Sequence, residues 1–348
     1  MAPVIRVEDI AHVRFAAPDL AAMADFLADF GLTAFRHGDR LYARGMNGAP
    51  FLHATEAGPP RFIGLGLRAA SVDDLARLAA AEGAAIEPLD APGGGKVVRL
   101  TDPDGNLVEV VAGQHWDAAT AIAPEPPVNS AADFNRARQA VRTTPGPSHV
   151  FRLGHCVLNV GDFRTSEAWY KARFGFITSD EIEAARGVSM GAFMRCDRGD
   201  VPSDHHTLFL AQLPSGKGFN HAAFEVLGLN DLMLGHDHLL VRQRTPAWGV
   251  GRHILGSQIF DYWKDPWGHE LEHWTDGDRF TAADGSNRAT VQDLLAVQWG
   301  TPHPMFTGRL APGPKTVGTI MALSVRLRRL FRRAPKSPSL GQAAGKYQ

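Results

Sequence analysis

A chain of 348 residues that is 44% hydrophobic and 21% charged has the composition of an ordinary globular protein and the length for two core-forming domains. Its formal net charge of −1 offers nothing global to nucleic acid or to an anionic membrane surface, so neither is expected as a partner. The only cysteines, Cys156 and Cys196, rule out a disulfide scaffold; with no signal-type apolar segment after Met1 and no stretch long enough to span a bilayer, a reducing cytoplasm is the expected location.

The first strong signal along the chain is IAHVRFAAPDLAAMADFLADFGL at 10–32. It reads as a strand carrying His12, a turn, and an amphipathic helix whose Leu20, Met23, Phe26, Leu27 and Phe30 recur at helical spacing before Gly31 closes it. SVDDLARLAAAEG at 71–83 predicts a second helix, with Ser71 as N-cap and Gly83 as C-cap. The glycine run at 93–95 reads as a hairpin turn rather than a phosphate cradle, because no helix follows it. DPDGNLVEV at 102–110 then turns into a strand that carries Glu109. Residues 1–113 form the first predicted domain. The Ala- and Pro-rich stretch 114–150 reads as a linker, with a helix expected at 130–142 before a Pro-Gly-Pro breaker at 145–147.

The pattern then recurs. LGHCVLNVGDFRTSEAWYKARFGF at 153–176 repeats strand, turn and helix, with His155 in the place of His12, apolar Phe163, Trp169, Tyr170 and Phe174 on the helix, and Gly175 at its end. DPWGHELEH at 265–273 repeats the turn and strand of 102–110 and puts Glu272 where the first copy has Glu109. The second copy is longer by roughly twenty residues, assigned to the segment around 177–206. Within each copy the order strand, helix, three strands occurs twice, the second copy's halves starting at His155 and His221, with GLNDLMLGHDHLLVRQR at 228–244 as its second helix. The expected fold is α+β: two homologous domains, 1–113 and 151–280, each of two βαβββ modules. A carboxyl-terminal extension, 281–348, follows, and its arginine-rich part at 324–333 reads as a solvated tail.

His155, His221 and Glu272 lie in strand-forming runs of the second copy. Two imidazoles and one carboxylate held on strands leave one face of a metal open, the arrangement expected for non-haem Fe(II) in oxygen chemistry, and Mn(II) accepts the same ligands. A lone strand histidine is most often a satisfied core residue, so the joint occurrence carries the argument. His206, His253 and Tyr262 add groups that transfer protons and orient phenolic oxygens near neutral pH. Strand alternation lets only one of His205 and His206 face the metal, and turns Cys156 away from it. Glu270 shares a face with Glu272, but the repeat aligns Glu272 with Glu109. His236 and His238 read as solvent-exposed. Arg186, Arg195 and Arg198 could pair with a substrate carboxylate, but solvated surface arginines are the commoner case. The first copy offers no imidazole at the place of His221, which falls near Ile63 and Gly64, so it reads as a structural partner.

The run Gly251, His253, Tyr262, Asp265, Pro266, Gly268, Glu272 resembles the signature of the type I extradiol catechol dioxygenases, within the vicinal oxygen chelate superfamily. Asp261 departs from it, standing where that family has an apolar residue. The resemblance covers 151–275 as the catalytic module and 1–113 as a non-catalytic copy. It implies the vicinal oxygen chelate fold, Fe(II) bound by His155, His221 and Glu272, His206 as active-site acid/base, and His253 and Tyr262 as hydrogen-bonding partners of substrate oxygens. It further implies a catecholic or trihydroxylated aromatic substrate, dioxygen as co-substrate with both atoms incorporated, and a homo-oligomer. The same paired-module fold supports other chemistry. A metal-dependent lyase or isomerase of the glyoxalase or epimerase kind would need a second carboxylate, and a binding protein of the bleomycin-resistance kind would need no triad. The 251–272 signature together with His206 favours ring cleavage over both.

Overall fold

Eight strands and two capped helices build the amino-terminal half in a computed structural model that describes residues 2–123 and 125–304. The strands are β1 (Val7–Ala17), β2 (Thr33–His37), β3 (Arg40–Arg44), β4 (His53–Ala57), β5 (Arg61–Ala69), β6 (Ile86–Pro88), β7 (Lys96–Thr101) and β8 (Leu107–Ala112). Helix α1 (Leu20–Asp29) starts at Asp19, whose carboxylate accepts from the Ala21 and Ala22 amides, and α2 (Val72–Glu82) runs from Ser71 to a left-handed Gly83, so propensity and capping agree with position. The strands form one sheet in the order β2-β3-β4-β1-β5-β8-β7-β6. The glycines at 93–95 lie in the loop of the antiparallel β6–β7 hairpin, all with positive φ.

The carboxyl-terminal half repeats this plan on a larger scale. Its elements are β9 (Val150–Asn159), α3 (Phe163–Phe174), β10 (Ile177–Ala185), β11 (Val188–Arg195), β12 (Ser203–Asp204), β13 (Leu208–Ala211), β14 (Gly218–Val226), α4 (Leu229–Val241), β15 (Thr245–His253), β16 (Ile259–Lys264), β17 (Glu270–Thr275), β18 (Arg279–Phe280), β19 (Asn287–Thr290), α5 (Val291–Leu295) and β20 (Val297–Gly300). Ten of the strands form a sheet in the order β19-β10-β11-β13-β9-β14-β17-β16-β15-β20, and β12 pairs with β18. Both outer strands of the large sheet, β19 and β20, come from residues 287–300, so the sheet continues past residue 280. The basic segment at 324–333 lies outside the described residues.

The central strands of the two halves share one register. In the first sheet His12 faces Gly66 and Arg14 faces Gly64 across β1 and β5, while Gly66 faces Glu109 across β5 and β8. In the second, His155 faces Ala223 and Val157 faces His221 across β9 and β14, and Ala223 faces Glu272 across β14 and β17. Gly64 therefore occupies the place of His221. One apolar cluster runs through both halves, from Val13, Phe26 and Phe30 to Phe174, Phe224 and Trp263. Polar ties cross the same boundary: the Tyr170 hydroxyl donates to Asp102 Oδ2 at 3.0 Å, and Arg242 and Arg244 pair with Asp29.

Between the halves, no helix forms at 130–142. Side chains capture the backbone there instead: Ser130 Oγ accepts from the Ala132 and Asp133 amides, Asn129 Oδ1 accepts from the Arg136 amide, and Asn135 Nδ2 donates to the Val128 carbonyl. Such local bonds compete with the helical ladder, and the stretch is almost wholly exposed, so no packing compensates. Among the described residues, no helix is long and apolar enough to cross a membrane.

Candidate metal centre

Strand register brings His155, His221 and Glu272 together. Ala223 stands between His155 and Glu272 across three adjacent strands, and His221, two residues before it on β14, points to the same side. One ligand-type atom from each lies within 4.8 Å of the others. His155 Nε2 is 3.3 Å and His221 Nε2 3.2 Å from the same oxygen, Glu272 Oε2. Two donors held at about 2.1 Å from one ion and at right angles stand about 3 Å apart, so these separations suit a shared cation.

The donor set itself asks for that cation. Glu272 is completely buried, and neither of its oxygens accepts a hydrogen bond. A buried carboxylate without donors costs several kcal/mol unless an opposite charge replaces its water, by about the amount that breaking a buried ion pair costs. Burial pushes the Glu272 carboxyl up, but the three histidines facing it, His155, His221 and His253, hold it well below the usual carboxylate range. Burial lowers His155 against the opposing pull of Glu272. His221 Nδ1 donates to Asn220 Oδ1 at 2.8 Å, which leaves the Nε2 lone pair turned toward the carboxylate, the tautomer a metal requires.

Opposite the triad, His206 stands against His155, ring centroids 4.0 Å apart, and against Phe193 at 4.7 Å. It sits in the turn between β12 and β13 rather than in a strand, and its neighbour is chained to it. His205 Nε2 reaches Asp180 Oδ2 at 2.6 Å, and His205 Nδ1 reaches His206 Nδ1 at 3.0 Å. Because the Asp180 carboxylate accepts only, His205 donates from Nε2, its Nδ1 accepts, and His206 donates from Nδ1. His206 Nε2 is left as a free base. Burial, then His155 and His205, pull His206 well below its ordinary value, so it is neutral.

The third side is made by β15 and β16. Tyr262 faces Glu272 in register, its hydroxyl lies 3.1 Å from His253 Nε2, and His253 Nε2 is 3.7 Å from Glu272 Oε1. Burial and then the Glu272 charge raise the Tyr262 phenol well above its usual range, so it stays protonated and can donate. Trp248 stacks on Tyr262 at 5.3 Å and donates from Nε1 to the Thr301 carbonyl at 2.8 Å. His155, His206, His221, His253 and Tyr262 all line one cavity of about 430 Å³.

Several residues sit differently from the sequence expectation. His236 and His238 are half-buried, not solvent-exposed: His236 Nδ1 is 3.0 Å from Asp261 Oδ2 and His238 Nε2 is 3.3 Å from Asp29 Oδ1, because α4 packs against the sheet and the other half. Arg195 is buried, bonded to the Thr178, Thr281 and Gly285 carbonyls; it pins the loop that leads to β19. Asp261 is fully buried on the face of β16 away from Tyr262 and accepts from Trp263 Nε1 at 2.6 Å. His273 donates from Nε2 to the Phe30 carbonyl at 2.7 Å, and His269 lies against Phe15, so the histidines beside Glu272 clamp its strand to the first half. Sequence reasoning missed Asp180, Asn220 and Trp248; only the adjacency of Asn220 to His221 was a usable signal. Glu270 lines the cavity opposite His221 but is outside the ligand cluster and is 3.7 Å from Lys264 Nζ.

The family model described as Glyoxalase/Bleomycin resistance protein/Dioxygenase superfamily matches residues 9–110 and 152–273. Metapyrocatechase 2 of Cupriavidus necator is 29% identical over 304 residues, which cover 86% of this chain and 91% of that protein. An iron-dependent extradiol dioxygenase of Rhodococcus jostii is 23% identical over 191 residues, 52% of this chain and 56% of its own length. Among solved structures, the Mn(II)-bound glyoxalase from Novosphingobium aromaticivorans superposes with a TM-score of 0.71 at 24% identity, covering 89% of this chain and 95% of that one, a likeness of fold.

Proposed function

The chain belongs to the Glyoxalase/Bleomycin resistance protein/Dioxygenase superfamily, and from that premise we propose that it is an Fe(II)-dependent extradiol dioxygenase that opens a catecholic ring beside its two hydroxyls and incorporates both atoms of dioxygen. The observation that carries the reading is the buried, donor-free Glu272 carboxylate between His155 and His221, with a free imidazole base across the cavity from it. The names of the two relatives, metapyrocatechase and iron-dependent extradiol dioxygenase, support the same class. His155, His221 and Glu272 would hold the metal; Fe(II) bound there would supply Lewis-acid and oxygen-activating chemistry, and Mn(II) suits the same ligands.

The chain's own groups do the rest. His206 Nε2, unprotonated and backed by His205 and Asp180, takes a proton from a substrate hydroxyl and returns it when the ring opens. Tyr262 keeps its proton and hydrogen-bonds a substrate oxygen, while His253 holds the tyrosine hydroxyl in place. Substrate seated in the cavity would displace water from these groups, which strengthens each of these bonds. A glyoxalase-type reading requires a second carboxylate on the metal, and Glu270 lies outside the cluster of ligand atoms.

The test is oxygen uptake by the reduced, iron-loaded protein with a panel of catechols under air. A ring-opened product with an aldehyde or ketone, coloured in mild base, is expected with one molecule of dioxygen consumed per ring. Recovery of a muconate-type diacid, or of intact catechol across the panel with no oxygen consumed, sinks the proposal.

A further inference from the structure

Away from the metal ligands the cavity changes character. Met190 and Phe193 of β11 and Phe209 of β13 form its floor, and Leu255, Leu294 and Leu295 face them. Most of these belong to a separate apolar cluster with Val157, Ile182 and Ala289, distinct from the main core. The leucines of α5 are held by a capping box: Thr290 Oγ1 accepts from the Asp293 amide while Asp293 Oδ2 accepts from the Thr290 amide at 2.8 Å. This wall comes from residues 291–295, beyond the 152–273 match to the family model.

Charge is as informative as shape. Among the described residues lining the cavity there is no arginine or lysine, and the one carboxylate is Glu270. His303, at the rim, is lowered by burial and then by His253, and so is neutral. An acidic substituent on the ring would lose its water and meet no cation among the described residues that line the cavity. The arginines nearest in sequence are committed elsewhere, Arg195 to backbone carbonyls and Arg252 to Asp276. A volume of about 430 Å³ falls in the range that encloses drug-sized ligands rather than a lone ring.

Resting on the proposed ring-cleavage reading, we propose that the substrate is a catechol carrying a bulky uncharged apolar substituent, aryl or alkyl, seated on the wall of β11, β13 and α5, and that acid-bearing catechols are rejected. The burial of such a group favours binding in proportion to its apolar area.

The experiment compares kcat/KM of the iron-loaded enzyme for 3-phenylcatechol and 4-butylcatechol with that for 3,4-dihydroxyphenylacetate and 3,4-dihydroxybenzoate. The apolar pair should be preferred by on the order of a hundredfold. Leu294→Arg or Leu295→Arg, two half-buried positions of a short surface helix, should each move that ratio toward the acids by roughly tenfold or more. Equal or better turnover of the acids by the native enzyme, or an unchanged ratio in both variants, overturns the proposal while leaving ring cleavage standing. If no catechol consumes oxygen, the ring-cleavage reading has failed, and calorimetry on the metal-free protein still tests the wall. There 3-phenylphenol should bind and 3-hydroxyphenylacetate should not; the reverse order, or no difference, rejects it.

Discussion

Glu109 and Glu272 occupy one position in two copies of the same strand frame, yet they are neutralised in different ways. Around Glu109, Arg14 Nε donates to Oε2 at 2.6 Å, Arg99 Nε to Oε1 at 2.9 Å, and His12 Nε2 lies 2.8 Å from Oε2. Around Glu272 the register puts Val157 in the place of Arg14, Tyr262 in the place of Arg99 and His221 in the place of Gly64. Phe51 lies tilted against His12 where His206 lies tilted against His155. Covalent cations satisfy the first carboxylate permanently; the second faces imidazoles in place of arginines, a set that an exchangeable cation can complete. The fold supplies two sheets with the same central register, and a handful of side chains decides which one is a centre of chemistry.

The largest effect should come from breaking that distinction at the metal. The native protein should bind one iron per chain, His221→Ala should lose both iron and turnover, and His12→Ala should keep both. Iron content and oxygen uptake measure this directly; two irons per chain, or iron lost with His12, would make the first half a metal site. Next in size is the base. His206→Asn should retain iron and lose roughly a hundredfold to ten-thousandfold in turnover, whereas Asp180→Asn, which disturbs only the tautomer chain, should lose less with iron retained. A rate loss confined to His205 variants would move the role to that residue.

The comparison can also be sharpened from the arginine side. Glu109 is raised by burial but pulled below the usual carboxylate range by His12 and Arg14. Its folded value lies beneath its unfolded one, so the stabilisation is complete above about pH 4.3 and is lost as the pH falls through the folded value. Glu109→Gln leaves Arg14 and Arg99 facing a neutral amide and should destabilise by about 3–5 kcal/mol. Thermal midpoints of the two metal-free proteins should differ by a constant gap near neutral pH that narrows below about pH 4. A gap that widens with acid would mean that the network is not what holds this half together.

The strand frame, the repeat and the triad were legible because each rests on local pattern: alternating apolar runs, capped helices, and turn motifs at matching spacing. What escaped depends on where non-adjacent strands meet. Asp180 reaches His205 from β10, 25 residues away, and the α5 leucines reach the cavity only because β19 pairs with β10. The helix expected at 130–142 is absent for the opposite reason: short polar side chains bond the backbone locally and nothing packs on the segment. His236 and His238 lie two apart on α4 and do not share a face, yet two separate partners, Asp261 and Asp29, draw each inward.

Asp261 gives the smallest and most discriminating contrast. In register it matches Val98 of the first half, since Tyr262 faces Glu272 as Arg99 faces Glu109, and Val98 is fully buried in the apolar core. At the same place the second half buries a carboxylate whose Oδ2 accepts from Trp263 Nε1 at 2.6 Å and lies 3.0 Å from His236 Nδ1, while Oδ1 has no partner. The hydrogen bond to Asp261 raises His236 more than its burial lowers it, so the pair is charge-assisted. Asp261→Val removes an unsatisfied oxygen and adds apolar burial, but strands the Trp263 indole N–H in the core, a cost of about 1–3 kcal/mol. The two partly offset, and the net loss should be about 1–2 kcal/mol, read as a modest fall in thermal midpoint. Turnover and metal content should not change, because Tyr262 projects from the opposite face of β16 into the cavity. A rate loss without a stability loss would mean that Asp261 acts on the site through Tyr262, and the two faces of that strand would then have to be treated as coupled.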